Sequence, residues 1–185
     1  MYWPERGPAN TEATIEAALK RAAEIGASRI VVASNSGATA EKLFEQGKGK
    51  GTGIVCVTHH VGFTGPGEDE MPTETRQALK EKGVAVLTTT HLLAGAERGL
   101  RNKFQGAYPA EIIANTLRLL GQGLKVCVEI SVMALDAGLI PYGEEIVAVA
   151  GSGGGADTAA VITPAHSNHF FDSVVKEIIC MPREK

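Results

Sequence analysis

Arg29-Ile-Val-Val-Ala-Ser-Asn-Ser-Gly-Ala-Thr-Ala40 is the stretch on which the fold turns. Ile30, Val31 and Val32 are β-branched, and with Ala33 they make an apolar run of strand length. Ser34-Asn-Ser-Gly37 breaks that run, and helical spacing resumes from Ala38 to Gln46. A helix that begins here offers amides with no intrahelical acceptor, and its dipole adds partial positive charge. Gly37 lets the backbone come close, while Ser36 and Thr39 offer hydroxyls. The loop therefore reads as a cradle for a phosphate group. It reads equally as an ordinary serine cap with a glycine turn. It is not a P-loop, because no Gly-Lys-Ser/Thr follows a four-residue spacer. A carboxylate placed at Gly37 is expected to close such a cradle to anions.

The same alternation continues on both sides. Pro4 and Pro8 keep the N-terminus extended, and Asn10 or Thr11 can cap a helix that Gly26 ends. A second strand is expected over 54–58, a helix over 72–82 and a third strand over 84–88. Residues 91–143 are mostly helical in pattern, in pieces near 92–103, 109–120 and 124–137. A fourth strand spans 145–150 and a fifth 158–163. The loop Gly151-Ser-Gly-Gly-Gly155 between them is short, so they form a hairpin rather than a crossover pair. Residues 174–180 read either as a last strand or as the end of a helix. Strands alternating with helices imply a parallel sheet covered on both faces, hence an α/β fold. With 185 residues, 44% of them hydrophobic, the chain (1–185) is expected to be one domain.

Composition removes several classes of function. A net charge of −3 with no Lys/Arg cluster gives no footprint for nucleic acid or for an anionic membrane. No apolar run approaches the ~20 residues that cross a bilayer. The polar, proline-broken N-terminus is not expected to act as a signal peptide. Cys56, Cys127 and Cys180 are widely spaced, which suits neither a disulfide framework nor a zinc site. Cys56 and Cys127 sit in apolar runs and read as core. A reducing cytoplasm is the expected setting.

In open α/β sheets ligands bind beyond the carboxyl ends of the strands. Four loops leave such ends: 34–39, 58–67, 88–92 and 151–157. They carry Ser34, Ser36, Thr58, His59, His60, Thr89, Thr90, His91, Ser152 and Asp157. Asp157 can accept from a ligand's ribityl or ribose hydroxyl, or from its own turn. His59 and His60 are adjacent, and neighbours in an extended chain point apart, so no shared metal is expected. No Gly-x-Ser-x-Gly elbow marks a nucleophile. Glu129 lies in an apolar helical context and needs a partner; Asp136, seven residues on, shares its face.

The stretch 29–40 resembles the C-terminal α/β domain of pyruvate kinase, where a strand runs into a Thr/Ser-x-Ser-Gly-x-Ser/Thr-Ala loop. Val57-Thr58 resembles the end of that domain's second strand, and 146–163 its fourth strand, Gly-rich loop and returning strand. The resemblance implies three layers, α/β/α, with strand order 3-2-1-4-5, strand 5 antiparallel, plus extra helices. It also brings the two Gly/Ser loops together, which in some pyruvate kinases hold the phosphates of a sugar bisphosphate activator.

The sequence is similar, over nearly its whole length, to a family of stand-alone versions of this domain. Pro8-Ala-Asn-Thr11, Val57-Thr-His-His-Val-Gly-Phe63, Gly123-Leu-Lys-Val-Cys-Val-Glu-Ile130, Asp136-Ala-Gly-Leu-Ile-Pro141 and Gly155-Ala-Asp-Thr-Ala159 carry the match, with the tail 164–182. Members of that family look like FMN-binding proteins without an assigned activity. Carried onto this chain, the phosphate would rest on Ser34, Asn35, Ser36, Gly37, Ala38 and Thr39. Thr58, His60, Gly62, Phe63 and His91 would line the ribityl and ring side, with Gly151 and Asp157 opposite. Similar sequences often hold an Arg where this chain has Gly153 and Gly154, leaving Arg98 or Arg101 as substitutes. A homo-oligomer is also implied.

Three functions compete at this point: an FMN-binding protein, with or without redox chemistry; a non-catalytic sensor of a phosphorylated metabolite; and a phosphate-ester hydrolase or transferase. The third needs a metal or nucleophile that the sequence does not display. Binding of a phosphate-bearing small molecule is the common expectation.

Overall fold

The computed structural model describes residues 1–184. Strands are β1 (Tyr2–Trp3), β2 (Arg29–Ala33), β3 (Gly53–Val57), β4 (Ala85–Leu87), β5 (Ile146–Ala150), β6 (Thr158–Thr163) and β7 (Val174–Pro182). Helices are α1 (Thr11–Ile25), α2 (Ala38–Gly47), α3 (Thr73–Glu81), α4 (Gly95–Phe104), α5 (Pro109–Leu117) and α6 (Gln122–Asp136). No helix among the described residues is long and apolar enough to cross a membrane.

One seven-stranded sheet runs β1-β7-β6-β5-β2-β3-β4. Its middle, β4-β3-β2-β5-β6, is the expected 3-2-1-4-5 order. β2 pairs parallel with both β3 and β5, and β6 returns antiparallel to β5. The sheet extends further than the family pattern implied. Residues 174–182 form β7, antiparallel to β6 with register shifts, and Tyr2–Trp3 adds a short parallel edge. The proline-rich N-terminus is thus a strand rather than a loose tail: Pro4 has no N–H, so pairing stops at Trp3.

Period-2 alternation sends each central strand's side chains into two separate cores. Ile30 and Val32 with Val147 and Val149 pack beneath α1, α2 and α3, whereas Val31, Ile146, Ala148 and Ala150 pack against α6. Both faces are apolar, which is why 30–32 and 146–150 read as unbroken runs. The expected helix 109–120 is α5 followed by a 3-10 turn at Arg118–Leu120, after which Gly121 (φ 110°) redirects the chain into α6. α6 lies close on the sheet because a Cβ at Gly123 would collide with the Thr158 side chain.

The candidate caps of α1 act differently from expectation. Asn10 makes no cap bond; its amide donates to the Glu5 carbonyl at 2.8 Å. The Thr11 hydroxyl donates to Pro8 O at 2.7 Å and accepts from the Ala156 amide at 3.0 Å. α1 is therefore tied to the Gly-rich loop, far away in sequence.

Candidate functional site

β2 sits between β3 and β5, so the loops leaving all three meet on one edge. There a cleft of about 930 Å³ opens between the start of α2 and the 151–155 loop, with Pro8, Thr11, Gln122 and Val126 on its walls. It adjoins an inner chamber of about 130 Å³ bordered by Thr58, His59, Phe63, His91, Lys125 and Glu129. Beyond His91 lies an outer pocket of about 590 Å³ containing His60, Gly62, Thr90 and Arg98. The three form one groove along the carboxyl ends of β5, β2, β3 and β4.

At the phosphate-cradle end, Asn35, Ser36 and Ala38 line the cleft. The backbone amides of Ser36, Gly37 and Ala38 make no hydrogen bond with other described residues. Ser34 sits behind them. Its buried hydroxyl accepts from the amides of Thr39 at 3.2 Å and Ala40 at 3.4 Å, so it caps α2. The cap thus falls to Ser34, while the amides of 36–38 stay uncommitted at the cleft. Gly37 (φ 90°) immediately precedes α2, but its missing side chain would point at Thr75 Cγ2, 2.5 Å from the Cβ position, and not at the cleft. A substitution there strains the α2–α3 packing before it alters the cradle, which corrects the expectation for a carboxylate at Gly37. Ala38 is exposed and is the residue of this turn whose side chain faces the cleft.

The Gly-rich loop depends on Asp157. This carboxylate is fully buried and accepts from Gly7 N (3.0 Å), Ser152 N (3.2 Å), Ser152 Oγ (3.2 Å) and Thr158 Oγ1 (2.8 Å). The Trp3 indole donates to its backbone carbonyl at 2.8 Å. Of the two readings of Asp157, the structure therefore supports the turn. It holds the loop and the N-terminal strap, leaving Gly151 and the loop backbone to face the cleft.

At the other end the chain turns after β3, so adjacent histidines converge instead of pointing apart. The His91 ring lies 5.2 Å from His59 and 5.3 Å from His60. Phe63 stacks on His59 at 3.7 Å, and His59 Nδ1 meets Glu70 Oε2 at 2.6 Å. Among the described residues, no three His, Cys, Asp or Glu side chains are grouped to hold a metal. Burial pushes the His91 imidazole down to about 4; Glu129 opposes the shift, while His59, His60 and Lys125 add to it. His91 is therefore neutral at pH 7 and can donate or accept a hydrogen bond without charge. The Thr58 hydroxyl is engaged by His59 O at 2.7 Å and Thr88 Oγ1 at 2.6 Å. Cys56 is buried, and that burial pushes its thiol up to about 12.

Glu129 finds the partners it needs. It forms an ion pair with Lys125, one turn earlier, and accepts from the Leu93 amide at 2.8 Å. Asp136 turns outward to His166 at 2.9 Å and plays no part in the cleft. Of the substitute arginines, Arg98 borders the groove, but Arg101 pairs with Glu111 at 2.7 Å.

The family model for the pyruvate kinase alpha/beta domain matches residues 12–162. The chain belongs to that family. A crystal structure of a pyruvate kinase from Cryptosporidium parvum is 18% identical, with a TM-score of 0.44, covering 82% of this chain and 22% of that one. A second structure of Cryptosporidium parvum pyruvate kinase is 20% identical, with a TM-score of 0.39, covering 79% and 22%. The chain thus spans about 22% of the length of those proteins.

Several groove residues of the domain escaped the sequence reading. Lys42, Glu70, Gln122 and Val126 border the main cleft; Arg118 and Lys125 border the inner chamber. Lys125 and Glu129 carried a signal, the i,i+4 spacing of a helical ion pair. Gln122, Val126 and Arg118 carried none, because only the packing of α6 against β6 brings them to the strand ends.

Proposed function

We propose that this chain is a binding module for a phosphate-bearing small molecule, FMN first among candidates. The observation that carries the reading is the set of uncommitted amides at Ser36, Gly37 and Ala38, at the mouth of a cleft of about 930 Å³. Helix N-terminal amides and dipole favour a phosphate there. The cleft is of the size class that holds cofactors. Its lining suits FMN from end to end: backbone donors, then polar and glycine surfaces for a ribityl chain, then Phe63 and His59 as an aromatic wall. FMN, once bound, would supply one- or two-electron chemistry; the chain's own part is to hold the phosphate and cover the ring. The cysteines lend no support to a thiol-dependent hydrolase, since burial pushes all three thiols up.

The test is the visible spectrum of purified protein before and after denaturation, with chromatography of what is released, alongside Ala38→Asp. Released FMN with a flavin spectrum is the expected result. Ala38→Asp is expected to weaken FMN by on the order of 100-fold, since it sets like charge against phosphate. The variant stays folded, because a carboxylate in a helix's first turn is stabilising. A colourless protein that FMN neither stabilises nor titrates would remove the flavin and leave sugar phosphates as the next probes. Unchanged affinity in Ala38→Asp would remove the cradle itself.

A further inference from the structure

We propose that the inner chamber is a subsite for a small monocarboxylate, bound by Arg98 and Arg118 where the groove runs on from the main cleft. The chamber holds about 130 Å³, room for about four waters or a ligand of a few heavy atoms. Arg98, Arg118 and Lys125 border it, and Glu129 is its one carboxylate. Glu129 is committed to buried Lys125, so that pair carries no net charge into the chamber. The guanidiniums are not neutralised. Arg118 spends its donors on neutral oxygens, Gln122 Oε1 at 2.7 Å and Asn115 Oδ1 at 2.9 Å. Arg98 makes no ion pair or side-chain hydrogen bond among the described residues.

The surplus is thus two positive charges, and the guanidinium fork fits a planar carboxylate. The remaining walls decide against a bare inorganic anion. Val57, Val126, Ile130 and Met133 give an apolar surface for a short carbon skeleton. Neutral His91 and the Gln122 amide can meet a carbonyl or hydroxyl on that skeleton. The inference needs no phosphate at the start of α2, but the chamber shares His59 and Phe63 with the wall proposed for the flavin ring, so the probe is titrated into protein freed of FMN.

The test is a titration of the intact protein followed by NMR of the His91 ring and Met133 methyl signals. Propionate is the probe, propionamide its neutral counterpart and inorganic phosphate the competitor. Propionate is expected to shift both signals saturably in the millimolar range, and propionamide to leave them in place. Arg98→Gln is expected to weaken propionate by about tenfold or more. Arg98 is exposed and unpaired, so that variant should melt like the parent. Ala38→Asp should keep propionate binding while losing phosphate. No saturable shift, an equal response to propionamide, parent-like affinity in Arg98→Gln, or displacement by phosphate at these same residues would each overturn the subsite.

Discussion

Asp157 allows a prediction with a magnitude. Its Oδ2 accepts from two backbone amides, Gly7 and Ser152, and its Oδ1 from two hydroxyls, Ser152 and Thr158. Asp157→Asn must put an NH₂ where one oxygen was. At the Oδ2 position it would face two N–H groups that cannot become acceptors. At Oδ1 it faces two hydroxyls that can rotate to accept. Asparagine therefore takes the second orientation and loses mainly charge assistance, about 1 kcal/mol for each of the two amide bonds, or ~2 kcal/mol altogether. Asp157→Ala leaves the buried Gly7 amide and the half-buried Ser152 amide unpaired at about 1–3 kcal/mol each, together with two hydroxyls, so it should cost ~4 kcal/mol or more. Urea unfolding at pH 7 reads both numbers. Hydrogen exchange at Gly7 and Ser152 should speed up in step, because those amides are the ones released. Asparagine costing as much as alanine, or both costing under ~1 kcal/mol, would refute the assignment of this carboxylate as the anchor of the loop and strap.

Three more outcomes are expected. His91 is lowered in the folded state, so the unfolded chain takes up its proton first. Its contribution to stability is present above about 6.5 and is lost as pH falls toward about 4. His91→Gln should flatten the urea midpoint across that window, and an unaltered slope would exclude His91. Lys125→Met should destabilise by about 3–5 kcal/mol because it strands the Glu129 carboxylate, and adding Glu129→Leu should restore most of the loss; a double variant as weak as the single would contradict this. Cys56→Ser should cost about 1–3 kcal/mol in thermal or urea unfolding while ligand affinity stays put. The native Cys56 thiol should resist iodoacetamide at pH 8, because burial keeps it protonated.

The order of the five central strands was legible in the sequence through the family pattern, and the elements themselves through periodicity. Both faces of β2 and β5 are buried, so Ile30–Val32 and Ile146–Ala150 are continuous apolar runs. The loop Ser34–Thr39 could likewise be recognised as a cradle or a cap, because both roles draw on the same local amides.

What each residue does with those amides was decided by tertiary contact. Ser34 became the cap because its hydroxyl is buried against Thr39 and Ala40, and Gly37 a packing position because α3 presses on it. Asp157 was settled by Gly7, 150 positions away in the chain, and His59 and His60 by a turn that aims both at His91. Arg118 and Gln122 gave no local sign of their place, since α6 reaches the strand ends only through its contact at Gly123. Sequence patterns record short-range periodicity and backbone chemistry, which are enough for strands, helices and loop types. The partner of a buried polar group depends on which distant segments the sheet order brings together, and that is fixed only in the folded chain.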